Sequence, residues 1–167
     1  EGVRTIEHAT LINENQIEGI LKKDLWVIGT FSILFHKAGI EQTDFGTPQI
    51  REKVLQVREK AAKNFSKVIE SGVNVALGTD SMHGLIGYEM ECFVKFGATP
   101  TQAIMAVTKH AAQAIRMENK IGTIERGKFA DFIGLKNNPL KDIKYMRDVE
   151  LVYKDGVQVY SKGGLNG

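Results

Sequence analysis

A chain of 167 residues, 43% hydrophobic and 25% charged, has enough apolar surface for a packed core and too much of it for a disordered segment. Its 22 basic and 20 acidic residues leave a net charge of +2 spread along the chain, which excludes the basic footprint of a nucleic-acid binder. Apolar runs are too short for a membrane helix, no secretory leader pattern is visible, and a single cysteine excludes an internal disulfide framework, so a cytoplasmic protein is expected.

Strand-like and helix-like segments alternate, the pattern of parallel βα units. Residues 3–7 read as a first strand that begins almost at Glu1 and is followed by His8. Asn13 with Gln16 three residues on is a capping box for a helix whose apolar stripe is Ile17, Ile20 and Leu21. Residues 25–28 form a fully apolar second strand that runs out through Gly29 and Thr30. A long connection over residues 31–46 carries His36, and its length marks it as functional or mobile. Thr47-Pro48 opens a long helix with Ile50, Val54, Val57, Ala61, Phe65 and Val68 at helical spacing, closed near Gly72.

Residues 73–77 are the third strand, which stops on Gly78 and presents Thr79-Asp80-Ser81, with His83 in the loop beyond. A helix over residues 88–96 carries Glu89 near the expected pocket mouth and Cys92 as a core thiol. Thr99-Pro100-Thr101-Gln102 is a second capping box, and its helix is expected to run to about Met117 with His110 as a structural residue. Residues 121–124, 132–135 and 149–160 are β-rich, with turns at Gly127-Lys128 and Asp155-Gly156, the latter a hairpin signal.

His8 follows the first strand as Asp80 follows the third. In a parallel sheet all carboxyl ends lie on one side, so the two can face one pocket. Imidazole nitrogen with carboxylate oxygen suits zinc and other divalent ions. Taken singly, a histidine after a strand is usually a hydrogen-bonded structural residue, and a Thr-Asp pair is often the N-cap of the next helix. The matched placement is what favours a shared site. His83 either reaches substrate in the same pocket or is an exposed loop residue, and His36 is either a lid contact or simply exposed. Glu7 is expected on the opposite face of the strand from His8, supporting structure.

The stretches Ile6-Glu7-His8, Gly78-Thr79-Asp80-Ser81, Gly122-Thr123-Ile124-Glu125-Arg126-Gly127-Lys128-Phe129-Ala130-Asp131 and Asn138-Pro139-Leu140-Lys141-Asp142-Ile143, in this order, resemble the metal-dependent amidohydrolase superfamily. The resemblance lies in its imidazolonepropionase-like and Xaa-Pro dipeptidase, or prolidase-like, branch. It implies an α/β fold: residues 1–118 as the C-terminal part of a (β/α)8 TIM barrel, about three parallel βα units, and residues 119–167 as part of a small composite β-sandwich. It also implies that His8 is a metal ligand, Asp80 both a metal ligand and the catalytic proton shuttle, and His83 a substrate-binding residue. The implied cofactor is a divalent metal, zinc by preference, as one or two ions. In such enzymes the metal acidifies water and polarises the carbonyl of a dipeptide or related amide, while the aspartate passes the water proton to the leaving nitrogen.

Members of the superfamily also use a His-x-His pair at the first barrel strand, a lysine at the fourth and a histidine at the fifth, none with a counterpart here. Two ligands do not close a zinc site. The expectation is therefore the C-terminal portion of a larger hydrolase of C–N bonds, inactive alone and completed by an N-terminal barrel half or by a second copy in a homo-oligomer. The same residues would also serve a deaminase or cyclic amidase acting on a ring C–N bond. A reading from another class is a non-catalytic half-barrel whose unpaired strand edges assemble with another chain.

Overall fold

The computed structural model describes residues 2–40 and 47–164. Three short apolar runs form strands β1 (Thr5–Glu7), β2 (Trp26–Gly29) and β3 (Asn74–Leu77), joined in the order β1-β2-β3. Both pairings are parallel, with Ile6 beside Val27 and Val27 beside Val75. Side chains alternate along a strand, so Ile6, Val27 and Val75 share one face while Thr5, Glu7, Trp26, Ile28 and Ala76 share the other. Parallel pairing places all three carboxyl ends on one rim.

The helices follow from their caps. Helix α1 (Glu14–Lys22) starts at Asn13, whose side chain accepts from the Gln16 amide while Gln16 returns the bond. After β2, the described part of the long connection begins with the short helix α2 (Ser32–Phe35); residues 41–46 of that connection lie outside the described residues. Helix α3 (Pro48–Glu70) has proline at its first turn and Thr47 as cap, and the chain leaves it through Gly72 at φ 76°, a left-handed turn that glycine adopts without strain. Helix α4 (Ile86–Lys95) follows β3, and α5 (Pro100–Val107) starts in the expected capping box of Thr99 and Gln102.

One face of the sheet is buried under α1, α3, α4 and α5. Ile17, Ile20, Phe65, Val68, Met90, Phe93 and Ala103 pack there against Val27, Val75 and Leu77. Phe31 sits edge-on between Phe65 and Phe96, with ring centroids at 4.6 and 5.0 Å. The rings close over Gly29: a Cβ there would lie 2.8 Å from Phe31 and 2.9 Å from Phe65, so only glycine lets β2 approach them.

The helix expected to run to Met117 instead breaks at Thr108 (ψ −94°), and α6 (Lys109–Ala114) turns onto the other face of the sheet. The Thr108 hydroxyl donates back to the Ile104 carbonyl at 2.7 Å, a bond that competes with helix geometry, and Gly122 packs into the corner. Ala111 and Ala114 then meet Trp26 and Ala76. Arg4, just before β1, donates to the end carbonyls of α6, to Ala114 O at 3.0 Å and to Gln113 O at 2.9 Å.

The last third forms a second sheet, β4 (Phe132–Leu135), β5 (Val149–Lys154) and β6 (Val157–Ser161), antiparallel in that order, with one turn of 3₁₀ helix (Ile143–Arg147) before β5. The hairpin at Asp155-Gly156 is present with both residues at positive φ, 51° and 78°, the geometry that matches strand twist. Residues 121–124, read from the sequence as β-rich, form a bend without ladder partners, and Ile124 stands exposed. The fold is α/β with a parallel three-stranded sheet and a small antiparallel one. Among the described residues no helix is long and apolar enough to cross a membrane.

Candidate active site

His8 leaves β1 through a strained turn. Its amide still donates to Ile28 O at 2.8 Å, continuing the ladder, but its φ is 67° and the Ala9 amide donates to Glu7 O at 2.8 Å. A hydrogen bond across two residues around a positive-φ centre is a γ-turn of the rare, strained kind. Ala9 follows at φ 49°, also left-handed. Such strain at a strand tip is a marker of functional sites. The turn leaves the imidazole exposed, with Nδ1 2.7 Å from the Thr30 hydroxyl at the tip of β2.

Asp80 sits at the equivalent exit of β3. Gly78 N donates to Gly29 O at 2.9 Å, and then a tight turn closes by Met82 N donating to Thr79 O at 2.9 Å, with Asp80 inside it at φ 51°. The helix that follows begins at Ile86 with Leu85 as N-cap and no side-chain cap bond, so Asp80 is not a capping residue. Its carboxylate is exposed and has no side-chain partner among the described residues. With β2 between them, the tips of β1 and β3 are roughly 10 Å apart, two strand spacings. His83 is exposed in the next turn.

His8 and Asp80 thus stand at the same end of the parallel sheet, with His83 in the turn beyond Asp80. A cleft of about 610 Å³ between β1 and α1, lined by Ile6, Glu7, His8, Leu11, Ile20 and Leu25, includes neither Asp80 nor His83. Glu7 pairs with Ile28 in the ladder, lies on the face of Ile28 and Ala76 and is exposed. No group of three His, Cys, Asp or Glu side chains that could hold a metal ion occurs among the described residues. His8 and Asp80 therefore offer a partial donor set, one imidazole and one carboxylate, that fits a divalent cation only with further ligands.

Other candidates resolve into structure. Glu89 is not at a pocket mouth: it is fully buried, and its carboxylate accepts from Phe31 N at 2.5 Å, Ser32 N at 2.8 Å and Ser32 Oγ at 2.5 Å. Burial pushes its pKa up, against the lowering effect of those three donors. His36 packs edge-on to Tyr88 at 4.8 Å and accepts from the Ala38 amide. His110 Nδ1 lies 3.1 Å from Val75 O and its ring edge meets Trp26. Burial pushes the Cys92 thiol up to about 12, which leaves it an unreactive core group. Sequence reading missed Thr30; the signal was there in the parallel between Gly29-Thr30 and Gly78-Thr79, two strands ending on the same pair of residue types.

Comparison with known proteins agrees with this architecture. Ochratoxinase from Aspergillus niger is 29% identical over 157 residues, which cover 90% of this chain and 32% of that enzyme. Imidazolonepropionase from Geobacillus sp. (strain WCH70) is 34% identical over 114 residues, 62% of this chain and 27% of that protein. Among solved structures, a Xaa-Pro dipeptidase with methionine bound in its active site superposes with a TM-score of 0.85 at 34% identity, covering 96% of this chain and 40% of the dipeptidase. The chain thus spans between a quarter and two fifths of the length of these relatives. The sequence profile of the amidohydrolase family itself matches residues 2–159, from before β1 into β6 and across every rim residue described above, and on that match the chain belongs to the amidohydrolase family.

Proposed function

We propose that this chain supplies one side of the active site of a metal-dependent hydrolase that cleaves the C–N bond of a dipeptide or related small amide. The observation that carries the reading is the shared rim: an imidazole and a carboxylate, exposed at the carboxyl ends of β1 and β3, in a member of the amidohydrolase family. In this reading His8 and Asp80 would hold a divalent cation, zinc by donor type, as one of one or two ions, together with ligands from polypeptide outside these 167 residues. The cation supplies Lewis acidity toward a carbonyl oxygen and acidifies water. Asp80 takes the proton of the attacking water on a carboxylate oxygen and returns it to the leaving nitrogen, which needs a carboxylate free of a competing ion pair, as Asp80 is. His83, one turn on, binds substrate.

The same reading makes residues 1–118 part of a barrel, with the Ile28 and Ala76 face toward its interior, and residues 119–167 part of a β-sandwich. Its partners are an N-terminal barrel half or a second copy, its location is cytoplasmic, and the chain alone is inactive because its ligand set is incomplete. Similarity to a Xaa-Pro dipeptidase over nearly the whole chain favours a dipeptide-like substrate. Similarity to imidazolonepropionase over 62% of the chain supports the second reading, a ring C–N bond opened by the same residues.

The test is Asp80→Asn in the full-length protein, with metal content and hydrolysis measured against a panel of dipeptides and heterocyclic amides. The expected result is a fall in kcat of about 10²–10⁴-fold, the range for a lost acid–base group. Full activity in the variant removes Asp80 from the chemistry. A wild-type preference for heterocycles over dipeptides selects the second reading.

A further inference from the structure

The hydroxyl that His8 touches belongs to the scaffold rather than to the surface. Thr30 is 7% exposed, while the imidazole it touches at 2.7 Å is exposed. Its position is fixed from both sides. On one side Thr30 continues from Gly29, which pairs in register with Leu77 of β3. On the other side Phe31 and Ser32 give their amides to the buried carboxylate of Glu89, and the Phe31 ring is held between Phe65 and Phe96. His8, in contrast, has a backbone under strain and a ring whose Nε2 has no partner among the described residues.

A hydroxyl can meet Nδ1 in two ways. It can accept the Nδ1 proton, which leaves a lone pair on Nε2, or it can donate to Nδ1, which leaves a proton on Nε2 and no lone pair there for a cation. We propose that Thr30 is a positioning residue for His8: its hydroxyl accepts the Nδ1 proton, holds the ring against rotation, and turns Nε2 outward as the donor atom of the rim. The proposal rests on reading His8 as a metal ligand. A ligating imidazole depends on its outer hydrogen bond for tautomer and orientation, and loss of that bond typically weakens metal binding about 10–100-fold.

The test uses the full-length protein, wild type and the variants Thr30→Val, Thr30→Ser and His8→Gln. Long-range ¹H–¹⁵N spectra of the metal-free, ¹⁵N-histidine-labelled protein report the tautomer, with the His8 signal identified by its loss in His8→Gln. Zinc affinity is read by competition with a chromogenic chelator. Wild type and Thr30→Ser are expected to show His8 protonated on Nδ1 and equal affinity. Thr30→Val, which keeps the shape and loses the hydroxyl, is expected to release the tautomer and weaken zinc about 10–100-fold. A wild-type His8 protonated on Nε2 overturns the proposal. So does a Thr30→Val protein with unchanged tautomer and affinity while His8→Gln still weakens zinc, and that outcome leaves the hydrolase reading standing. Unchanged zinc affinity in His8→Gln overturns the hydrolase reading and this proposal with it.

Discussion

Glu89 shows how a single side chain ties the site to the core. A carboxylate without exposed surface is costly, and here the cost is offset by three donors from the loop that carries Thr30. Its pKa is nevertheless raised above the ordinary 4.5, burial being the first cause. Between 4.5 and the raised value the folded protein holds a proton that the unfolded chain releases, so the stability contributed by Glu89 is fully present below pH 4.5 and is lost as pH rises through the raised value. Urea unfolding of wild type and Glu89→Gln across that window should show the wild-type advantage shrinking as pH rises; a constant difference refutes it. Gly29 makes a second prediction. Its added methyl would press on two buried rings, so Gly29→Ala should lose about 1–3 kcal/mol in urea denaturation. Neither role was legible in the sequence. Glu89 reads there as a helix residue near a pocket mouth, because its partners lie 57 and 58 residues away. The placement of His8 and Asp80 at strand exits was legible, because residues 3–7 and 73–77 each read as a strand and the two residues follow their carboxyl ends.

At the scale of elements, local chemistry predicted starts better than ends. Both capping boxes and the Asp155-Gly156 hairpin formed as their residues dictate, since cap and turn are decided within four residues. The break at Thr108 was not legible: its neighbours favour helix, and the corner is set by a threonine hydroxyl turned back on Ile104 and by a glycine packed from 14 residues further on. Residues 121–124 misled through composition, as β-branched residues without a strand to pair with form only a bend. Arg4 is the counterpart on the first sheet. Its two bonds hold the carboxyl end of α6, where the helix dipole favours a cation. Arg4→Met should cost roughly 1.5–3 kcal/mol, the worth of hydrogen bonds to a charged group, and quicken amide exchange at Ile115 and Met117. Unchanged exchange there would mean that α6 stays docked on its apolar contacts alone.

For the whole molecule, the two edges of the parallel sheet differ. Gly78 points its amide to β2, so Val75 turns its carbonyl outward, where His110 meets it. Among the described residues the outer edge of β1 has no strand neighbour, its Glu7 carbonyl is met only by the Ala9 amide of its own turn, and exposed Val3 and Leu11 line the cleft beside it. An open edge with apolar flanks recruits another strand. The 167-residue chain in isolation should therefore associate with rising concentration, and Thr5→Pro should reduce it. A light-scattering mass of one chain at every concentration argues against this. The Arg4 contact also has a consequence in time. Its partners lie 109 and 110 residues further along, so during synthesis the first strand leaves the ribosome roughly 5–20 s before the carbonyls that latch it. Through that interval β1 waits without its fastening, exposed to chaperones and to neighbouring nascent chains, and the last helix of the first sheet is what ends the wait.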